Sequence, residues 1–406
     1  MNASRLNVAV DCNPSDLALP HQLLSLAEEG REAICPPVSR VNIGLATCGR
    51  AAGALAISQK LAARQDWEGV ARVASVGCLG ACYAEPLVDV RTPDGKHYFY
   101  GQVDSNSLWR IIRAAEGSPS SVYLLAVARE RQTGVLRGVQ DLELIRVENS
   151  GFVEFFRPQV RRVSGRCGLV DPESLAEYVA TGGYFALARA LFQLQPKDII
   201  AMVAAAGLRG RGGAGFPTGK KWELVSQSSD PVRIVVANAD EGDPGAYMDR
   251  ALLESDPHGV LEGLILASYA VGASQAYVFV RHEYPLAVRA LRQAIASARK
   301  AGLLGQHILG SDFSLEVTLV ESAGAFVCGE ETSMLQVMEG KRGEPYRRPP
   351  YPSTRGLWGH PTVINNVETL ANIPWIVLNG AEAFREVGTE KSPGTKIFCL
   401  AGDVKR

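Results

Sequence analysis

The sequence of 406 residues contains no apolar run that approaches the roughly 20 residues needed to span a bilayer. Its N-terminus, MNASRLNVAVDCNPSD, lacks the apolar core of a signal peptide, so we expect a cytoplasmic location. The formal net charge is −1, which gives no indication of nucleic-acid binding or of attachment to an anionic membrane. In a cytoplasmic protein, the eight cysteines are expected to be reduced thiols or metal ligands rather than disulfides.

The most informative segment is rich in glycine and reads LRGRGGAGFPTGKKW at 208–222. Glycine allows the backbone to approach a ligand closely, and consecutive N–H groups beside arginine and lysine suit a phosphate. Residues 197–207 have the apolar period of a helix, whereas the dinucleotide-binding glycine motif follows a strand. A P-loop does not fit either, because Lys220 is followed by Lys221 instead of Ser or Thr. We expect a loop that binds a nucleotide or flavin phosphate, with a mobile linker as the alternative.

The first part of the chain is expected to hold a small domain at 41–116, after an N-terminal extension at 1–40. The expected order of strand, helix, strand, hairpin and helix is typical of a thioredoxin-like domain. A linker and helical lead-in follow at 117–195, in which 142–147 and 152–156 have the composition of strands.

The second part of the chain is expected to form an α/β domain at 196–380, because strand-like and helix-like segments alternate there. Such alternation predicts a sheet covered by helices. A further strand, TKIFCLAG, is expected beyond Gly394, so the segment 381–406 is interpreted as the start of another unit.

Three cysteines are expected on loops at strand ends: Cys48, Cys78 and Cys82. Thiolates in such positions suit an iron–sulfur cluster, which normally takes four ligands when it has two irons. The positions before Cys48 at which a fourth ligand is expected hold Ile43 and Gly44, and Cys35 serves only if its segment folds back. Two alternatives remain open: buried free thiols, and a zinc site of Cys₃His type that includes His97.

An acidic turn follows the strand expected at 233–237, and it contains Asn238, Asp240, Glu241 and Asp243. Because α/β proteins bind ligands at the carboxyl ends of their strands, this turn is a candidate site. No histidine stands near it to complete a metal site, so we expect contacts with the polar atoms of an organic cofactor. A polar turn without a ligand is the alternative.

Two further motifs carry candidate residues. In SAGAFVCGEET, Glu330 and Glu331 are expected at a helix N-terminus, where their charges are favourable even without a ligand. The later segment offers cationic, aromatic and amide groups that suit a nucleotide and a heterocycle: Arg348, Tyr351, Asn365 and Asn366. The alternatives are helix-terminal carboxylates with a structural role only and a solvated surface loop.

Four motifs occur in order: RGRGGAGFPTGKKW, NADEGDPGAYMDR, GAFVCGEETSMLQVMEG and NNVETLANIP. Together they resemble the NADH-binding flavoprotein subunit of respiratory complex I and its relatives in NAD-linked hydrogenases and formate dehydrogenases. The resemblance covers residues 160–406, and the fused N-terminal domain is similar to the arrangement in the hydrogenase-type relatives.

The resemblance implies an α/β chain with a thioredoxin-like [2Fe–2S] ferredoxin domain, a Rossmann-like FMN-binding domain and the start of a β-grasp-like module. It implies an FMN-dependent NADH dehydrogenase subunit of the diaphorase type, in which hydride passes between NAD(H) and FMN and single electrons pass to iron–sulfur partners. The expected partners are a ferredoxin-like subunit and a large iron–sulfur subunit. Through them the chain would lie at the inner membrane without inserting into it, and no nucleic acid is involved.

The resemblance also implies a role for individual residues. The FMN contacts would be Gly210, Gly212, Gly213, Lys221, Asn238, Asp240, Glu241, Phe326, Gly329, Glu330, Ile364, Asn365 and Asn366. The NADH contacts would be Phe216, Asp243, Glu331, Arg348 and Tyr351. Glu241 would act as the catalytic residue, because a carboxylate beside the flavin tunes its potential. The [2Fe–2S] ligands would be Cys48, Cys78 and Cys82.

The chain departs from the family at several points. Phe326 stands where the family has Tyr, and Arg348 stands where it has Lys. The family's [4Fe–4S] motif is absent, because Cys167, Cys328 and Cys399 do not make a C-x-x-C-x-x-C set. A truncated, non-catalytic scaffold that docks redox partners is therefore the alternative function. A transferase that binds ATP at the glycine loop is weaker, because no Mg²⁺-ligand pattern accompanies it.

Overall fold

The computed structural model describes residues 19–64, 67, 69–131, 138–148 and 150–403. The start of the predicted N-terminal extension and the last three residues of the predicted C-terminal unit lie outside these ranges. The chain forms two compact units. The N-terminal unit comprises 24–182 and 251–258, and the C-terminal unit comprises 19–23, 183–250 and 259–403. Within the described ranges, no helix has the length and apolar character needed to cross a membrane.

A mixed sheet of six strands lies at the centre of the N-terminal unit. Its strands are β1 (Ser39–Gly44), β2 (Ala71–Val76), β3 (Val88–Arg91), β4 (Lys96–Tyr100), β5 (Leu124–Glu130) and β6 (Leu142–Arg146). The spatial order is β2-β1-β3-β4-β5-β6, in which only the β1–β2 pair is parallel. The hairpin predicted at Thr92 joins β3 to β4, and Gly95 there takes a φ of 75° that favours glycine.

The helices of this part of the chain are mostly short. They are α1 (His21–Ile34), α2 (Thr47–Ala51), α3 (Ala54–Ala62), α4 (Leu108–Ala115), α5 (Phe152–Phe156) and α6 (Leu175–Ala180), with 3-10 helices at Cys82–Ala84 and Val139–Asp141. The strand predicted at 152–156 is wrong, because this segment is helix α5. Phe152, Val153 and Phe156 are buried together on one face of this helix. A segment of five aromatic-rich residues is too short for its apolar spacing to distinguish a helix from a strand in the sequence.

A chain of buried polar side chains crosses one face of this sheet. Arg40 makes a bidentate ion pair with Glu177, with N–O distances of 3.0 and 2.8 Å. Asn42 accepts a hydrogen bond from Arg40 at 2.7 Å and donates to Asp89 at 3.0 Å. The ring of His97, which is fully buried, completes the chain by contacting Asp89 at 2.9 Å and Glu130 at 3.2 Å. Each buried charge is therefore paired, which avoids the cost of an isolated charge in the core.

A parallel sheet of four strands organises the C-terminal unit. Its strands are β7 (Ile234–Ala239), β8 (Gln275–Arg281), β9 (Glu316–Ser322) and β10 (Thr362–Asn366), in the spatial order β10-β7-β8-β9. The almost continuous apolar run IVVANA in β7 is typical of a parallel strand covered on both faces. A short antiparallel pair, β11 (Gly388–Thr389) and β12 (Ser392–Pro393), lies further along the chain.

Nine further helices follow along the described part of the chain, and the one predicted at 197–207 from its apolar periodicity is among them. They are α7 (Phe185–Gln193), α8 (Pro196–Ala206), α9 (Thr218–Ser226), α10 (Met248–Ser255), α11 (Pro257–Val271), α12 (Pro285–Lys300), α13 (Glu331–Met338), α14 (Val367–Ala371) and α15 (Ile373–Arg385). Three 3-10 helices are at Ile308–Gly310, Phe326–Gly329 and Leu357–Gly359. The prediction of an α/β chain is confirmed.

The strand predicted for TKIFCLAG is not formed. Residues 395–401 have no regular secondary structure, and Phe398 and Leu400 are 77% and 74% exposed. A β-strand needs a neighbouring strand to satisfy its backbone, and no strand pairs with this segment among the described residues.

We expect His97→Gln to destabilise the chain in a pH-dependent way. Burial lowers the pKa of His97, but the charges and hydrogen bonds of Asp89 and Glu130 outweigh it and raise the pKa to about 9. Because this value lies above the 6.5 of an ordinary histidine, the stabilisation is complete below about pH 6.5 and is lost as pH rises through 9.

Urea denaturation should show a loss of about 3 kcal/mol in the free energy of unfolding for His97→Gln near pH 6, and a much smaller loss above pH 9. His21→Gln, at an exposed histidine, is the matched control. An equal loss at both pH values would contradict a charged His97.

Candidate functional site

The glycine-rich loop connects two helices of the C-terminal unit. Helix α8 ends at Gly207, which takes a left-handed conformation with a φ of 67°. The base of the loop is closed by two backbone hydrogen bonds of 2.9 Å, from Gly210 N to Phe216 O and from Thr218 N to Leu208 O. The element before the loop is a helix, as predicted, so the formal match to the dinucleotide motif does not place this loop after a strand.

The loop rests on the N-terminus of α14, at the end of strand β10. A Cβ added at Gly212 would lie 3.1 Å from the Cβ of Asn366, so the backbone of the loop approaches this side chain closely. The N–H of Arg211 donates to the hydroxyl of Thr369 at 2.8 Å. Gly213 has a φ of 105°, and a Cβ there would meet no described atom within 4 Å. The loop is thus anchored on one side and open at Gly213.

The side chain of Arg211 binds backbone carbonyl groups of the loop and of a later segment of the chain. Its guanidinium donates to the carbonyl groups of Arg209 at 3.0 Å, Pro393 at 2.8 Å and Thr395 at 3.2 Å. The residue is buried, and burial lowers its pKa. The Nζ of Lys221, which follows the loop on α9, lies 3.0 Å from Ile364 O and 3.4 Å from the Glu331 carboxylate.

The paired asparagines at the end of β10 have structural partners. Asn365 is buried, and its Oδ1 accepts a hydrogen bond of 2.7 Å from the indole N–H of Trp222 on α9. Asn366 caps α14 by accepting from Thr369 N at 3.1 Å, and its amide donates to Asp249 at 2.6 Å. Both residues are brought to the predicted site, where these bonds fix the orientation of their amides.

The acidic turn after β7 lies beside these residues at the carboxyl edge of the same sheet. Asn238 donates to Gly329 O at 2.9 Å and accepts from Asp240 N at 3.0 Å, which holds the turn against the 3-10 helix at Phe326–Gly329. A Cβ at Gly329 would lie 2.8 Å from Asp240 O, so only glycine permits this approach. The carboxylate of Asp240 is buried, which raises its pKa, while Ser322 and Arg281 oppose this effect.

Glu241 caps the N-terminus of α10. Its carboxylate accepts from the backbone N–H groups of Met248 at 2.8 Å, Asp249 at 3.3 Å and Arg250 at 3.2 Å. These donors and the helix dipole favour the charged form, although burial raises its pKa overall. Contact of this carboxylate with a cofactor would need these bonds to be shared or exchanged, so the predicted catalytic role stays a prediction.

No role was assigned from the sequence to two buried acids next to Asn366, namely Asp249 on α10 and Glu368 on α14. Asp249 is buried, and burial together with the charges of Glu241 and Glu368 raises its pKa well above the ordinary value. Burial also raises the pKa of Glu368 to about 7, against the hydrogen bond from Ile397 N. Asp249 belongs to the motif NADEGDPGAYMDR, but an acid in the first turn of a helix is common at helix N-termini without a ligand, so the sequence indicated no role for it.

Two glutamates lie at the start of α13, as predicted. Glu330 is its N-cap and accepts hydrogen bonds of 2.9 Å from Thr332 N and Ser333 N. Glu331 forms ion pairs with Lys221 and Arg348. The role of Glu330 as a helix cap is therefore sufficient to explain this residue without a ligand. Glu331, in contrast, lies between two cations that belong to the predicted site.

Three aromatic side chains of the predicted FMN and NADH sites are exposed instead of being packed into the core. Phe216, Phe326 and Tyr351 are 47%, 65% and 55% exposed. Lys221 lies 6.0 Å from the ring centroid of Phe216, and Asp243 is exposed in the neighbouring turn. Exposed rings beside charged side chains are typical of a site that stacks a planar ligand.

The N-terminal unit brings the three candidate cysteines together. The sulfurs of Cys78 and Cys82 are 3.7 Å apart, and both interact with Cys48. The hydrogen bond with Cys48 is the main cause that raises the pKa of Cys82 to about 11. Burial raises the pKa of the Glu85 carboxyl, on which the charge of Cys48 also acts, to about 7.

No fourth cluster ligand joins these thiols among the described residues. Cys35 interacts with Arg91 and Glu130 in the buried polar chain, and His97 is held there between two carboxylates, so the zinc alternative with His97 is wrong. Within the described ranges, no group of three or more His, Cys, Asp or Glu side chains has an arrangement that holds a metal ion. The residues present do not fit a complete two-iron cluster, which takes four ligands.

Comparison with known proteins finds a match in the segment that contains this site. Residues 203–375 match the family model described as the Nuo51 FMN-binding domain. The NADP-reducing hydrogenase subunit HndC of Solidesulfovibrio fructosivorans is 50% identical over 249 residues, which are 61% of this chain and 50% of that protein. An NADH-quinone oxidoreductase subunit of Aquifex aeolicus (strain VF5) is 51% identical over 233 residues, which are 57% of this chain and 54% of that protein.

The chain spans about half the length of these curated relatives. Among solved structures, an NAD⁺-reducing [NiFe]-hydrogenase in the H₂-reduced state is 28% identical with a TM-score of 0.49, covering 95% of this chain and 60% of that one. The sequence matches confirm the resemblance predicted from the four motifs over the residues that they cover.

We expect Gly213→Ala to weaken FMN binding by about tenfold or more, because its Cβ would project into the open side of the loop. The left-handed φ adds about 1–2 kcal/mol of strain for alanine. Gly310→Ala is the matched control, because Gly310 has a φ of 80° and the same open surroundings but lies outside the site. Titration by quenching of flavin fluorescence measures both variants, and equal affinities would contradict the assignment of the loop.

Proposed function

We propose, from the match of residues 203–375 to the Nuo51 FMN-binding family, that this chain is the flavoprotein subunit of an NADH dehydrogenase of the diaphorase type. It would bind FMN, transfer hydride between NAD(H) and the flavin, and pass single electrons to iron–sulfur partner subunits. The observation that carries this proposal is the close seating of the glycine loop on Asn366, beside the polar edge formed by Asn238 and Asp240.

The residues present fit FMN. The backbone of Gly210, Gly212 and Gly213, which is open at Gly213 and has Lys221 beside it, suits the phosphate and the edge of the ring. The amides and carboxylates at the carboxyl edge of the sheet offer donors and acceptors to the ribityl chain and the ring. These residues are Asn238, Asp240, Glu241, Glu330, Asn365 and Asn366, with Phe326, Gly329 and Ile364 completing the proposed site.

NADH would lie over the exposed rings. Phe216 and Tyr351 offer flat apolar surface to the nicotinamide and the adenine. Arg348 and Glu331 form an ion pair in the proposed NADH site. The cation suits the pyrophosphate, and the carboxylate suits the ribose hydroxyls. Asp243, which is exposed in the turn after β7, completes the proposed nucleotide site.

The work of this chain would be alignment and electrostatics. When bound, FMN supplies a ring that takes up two electrons as hydride and releases them singly. Hydride transfer needs no acid–base side chain, so the protein holds the two rings in contact and limits access of water. Glu241 and Lys221 would place opposite charges near the site and so tune its potential.

The partners would be a ferredoxin-like subunit and a large iron–sulfur subunit of a cytoplasmic redox complex, through which the chain would be peripheral to the inner membrane. A [2Fe–2S] cluster of the chain's own at Cys48, Cys78 and Cys82 stays a prediction. The convergence of the three thiols supports this cluster, whereas the lack of a fourth ligand among the described residues argues against it. The proposed dehydrogenase activity does not depend on that cluster.

The direct test is anaerobic reconstitution of the purified chain with FMN, followed by NADH. We expect a yellow protein whose visible flavin absorbance is bleached by NADH and restored by ferricyanide. A chain that retains no FMN supports the scaffold alternative, and a yellow chain that NADH does not bleach refutes the dehydrogenase.

Two neighbouring lysines provide matched variants for this test. Lys221→Met should lower FMN affinity and the rate of bleaching, because Lys221 faces Ile364 O and Glu331. Lys220→Met should leave both unchanged, because Lys220 is exposed and pairs with Glu223 at 2.7 Å.

We expect Glu241→Gln to retain FMN and to change the reactivity of the reduced flavin. Glutamine keeps one oxygen acceptor for the N-terminus of α10 but removes the negative charge. Stopped-flow measurement of flavin reduction by NADH and of reoxidation by O₂ tests this role, with Glu223→Gln at an exposed glutamate as the control. Unchanged NADH and O₂ kinetics would refute it.

A further inference from the structure

Arg281 occupies a central place at the carboxyl edge of the parallel sheet. It is the last residue of β8, which lies between β7 and β9, the strands that lead into the acidic turn and the Phe326 loop. Its side chain is only 13% exposed. None of the four sequence motifs includes this residue, and sequence reasoning gave it no role.

The guanidinium of Arg281 bridges the segments on both sides of it. It contacts the Asp240 carboxylate at 3.2 Å on the side of β7. It donates to Gly324 O at 3.4 Å on the side of β9 and to Glu283 at 2.8 Å beyond its own strand. The three contacts use separate acceptors, which two different nitrogens of the planar guanidinium reach, whereas the three donors of lysine share one nitrogen.

The same guanidinium lies close to the Phe326 ring. A Cβ added at Gly242 would be 2.8 Å from Arg281 Nη1 and 2.8 Å from Phe326 Cδ2. Gly242 therefore leaves the space that these two side chains border at the acidic turn. A displacement of Arg281 would break its contacts with Asp240 and with Gly324 O in the loop that carries Phe326.

Asp240 depends on this cation. The Asp240 carboxylate has no exposed surface, and burial alone would favour its neutral form. Removal of one partner from a buried ion pair leaves an uncompensated charge, which is costlier than the loss of the whole pair. Asp240 is also among the proposed FMN contacts, so its charge and position bear on the flavin.

We propose that Arg281 is a positioning residue of the flavin site, which holds the Asp240 carboxylate in place and ties the acidic turn to the loop that carries Phe326. This inference rests on the proposed function. It adds a residue that touches neither the glycine loop nor the paired asparagines and acts through Asp240.

The test compares Arg281→Gln and Arg281→Lys with the wild-type chain reconstituted with FMN. We expect Arg281→Gln to weaken FMN binding by about tenfold, because a buried charge-assisted contact is lost. Near pH 8 its flavin midpoint potential should be more negative, because the charge of Asp240 is then unopposed. Arg281→Lys, which keeps the charge, should retain the potential but still bind FMN less tightly; it also serves as the test if Arg281→Gln does not fold.

A double-mutant cycle separates this role from a general structural one. If Arg281 acts through Asp240, the variant with both Arg281→Gln and Asp240→Asn should recover the wild-type potential, because both charges are gone. Additive effects of the two substitutions, or an unchanged potential in Arg281→Gln, would overturn the inference. Arg292→Gln, on the exposed side of α12, is the control.

The outcomes also separate this inference from the proposed function. A wild-type chain that binds FMN and is bleached by NADH, with Arg281→Gln indistinguishable from it, removes the role of Arg281 alone. A wild-type chain that binds no FMN removes the proposed function and this inference with it.

Discussion

The close approach of Gly212 to Asn366 is the contact on which the C-terminal unit depends for its candidate site. A helix–loop–helix segment packs there against the end of a parallel sheet, and a side chain at position 212 would make a tight contact with Asn366 and require one of the two to shift. The bond from Arg211 N to Thr369 fixes the same register. The open backbone at Gly213 consequently faces the edge where β7 and β10 end, so a loop and a sheet edge distant in sequence form one site.

Helix capping is the second device that shapes the site. Glu241, Glu330 and Asn366 each accept hydrogen bonds from the first turn of a helix. These caps hold three helix N-termini around one region, and free N–H groups and helix dipoles there favour an anionic ligand. The polar side chains at this site can therefore both cap a helix and contact a cofactor. The lone pairs and protons that the capping hydrogen bonds leave unused are available to the cofactor.

The sequence predicted the larger features and missed those that depend on tertiary contacts. Helix α8, the glycine loop and the alternation of strands and helices follow from local periodicity and glycine content, and all were predicted. Helix α5 was mistaken for a strand because five aromatic-rich residues fit either period. The role of Arg281 and the bond between Trp222 and Asn365 join residues far apart in the chain, so no local pattern indicates them. The buried chain from Arg40 to His97 was missed for the same reason.

A crystal structure of the chain grown with FMN would locate the cofactor. We expect the FMN phosphate against the backbone between Gly210 and Gly213, near Lys221, with the ring beside Asn238 and Asp240. FMN bound elsewhere on the chain, or a glycine loop folded into that space with no ligand, would contradict this expectation.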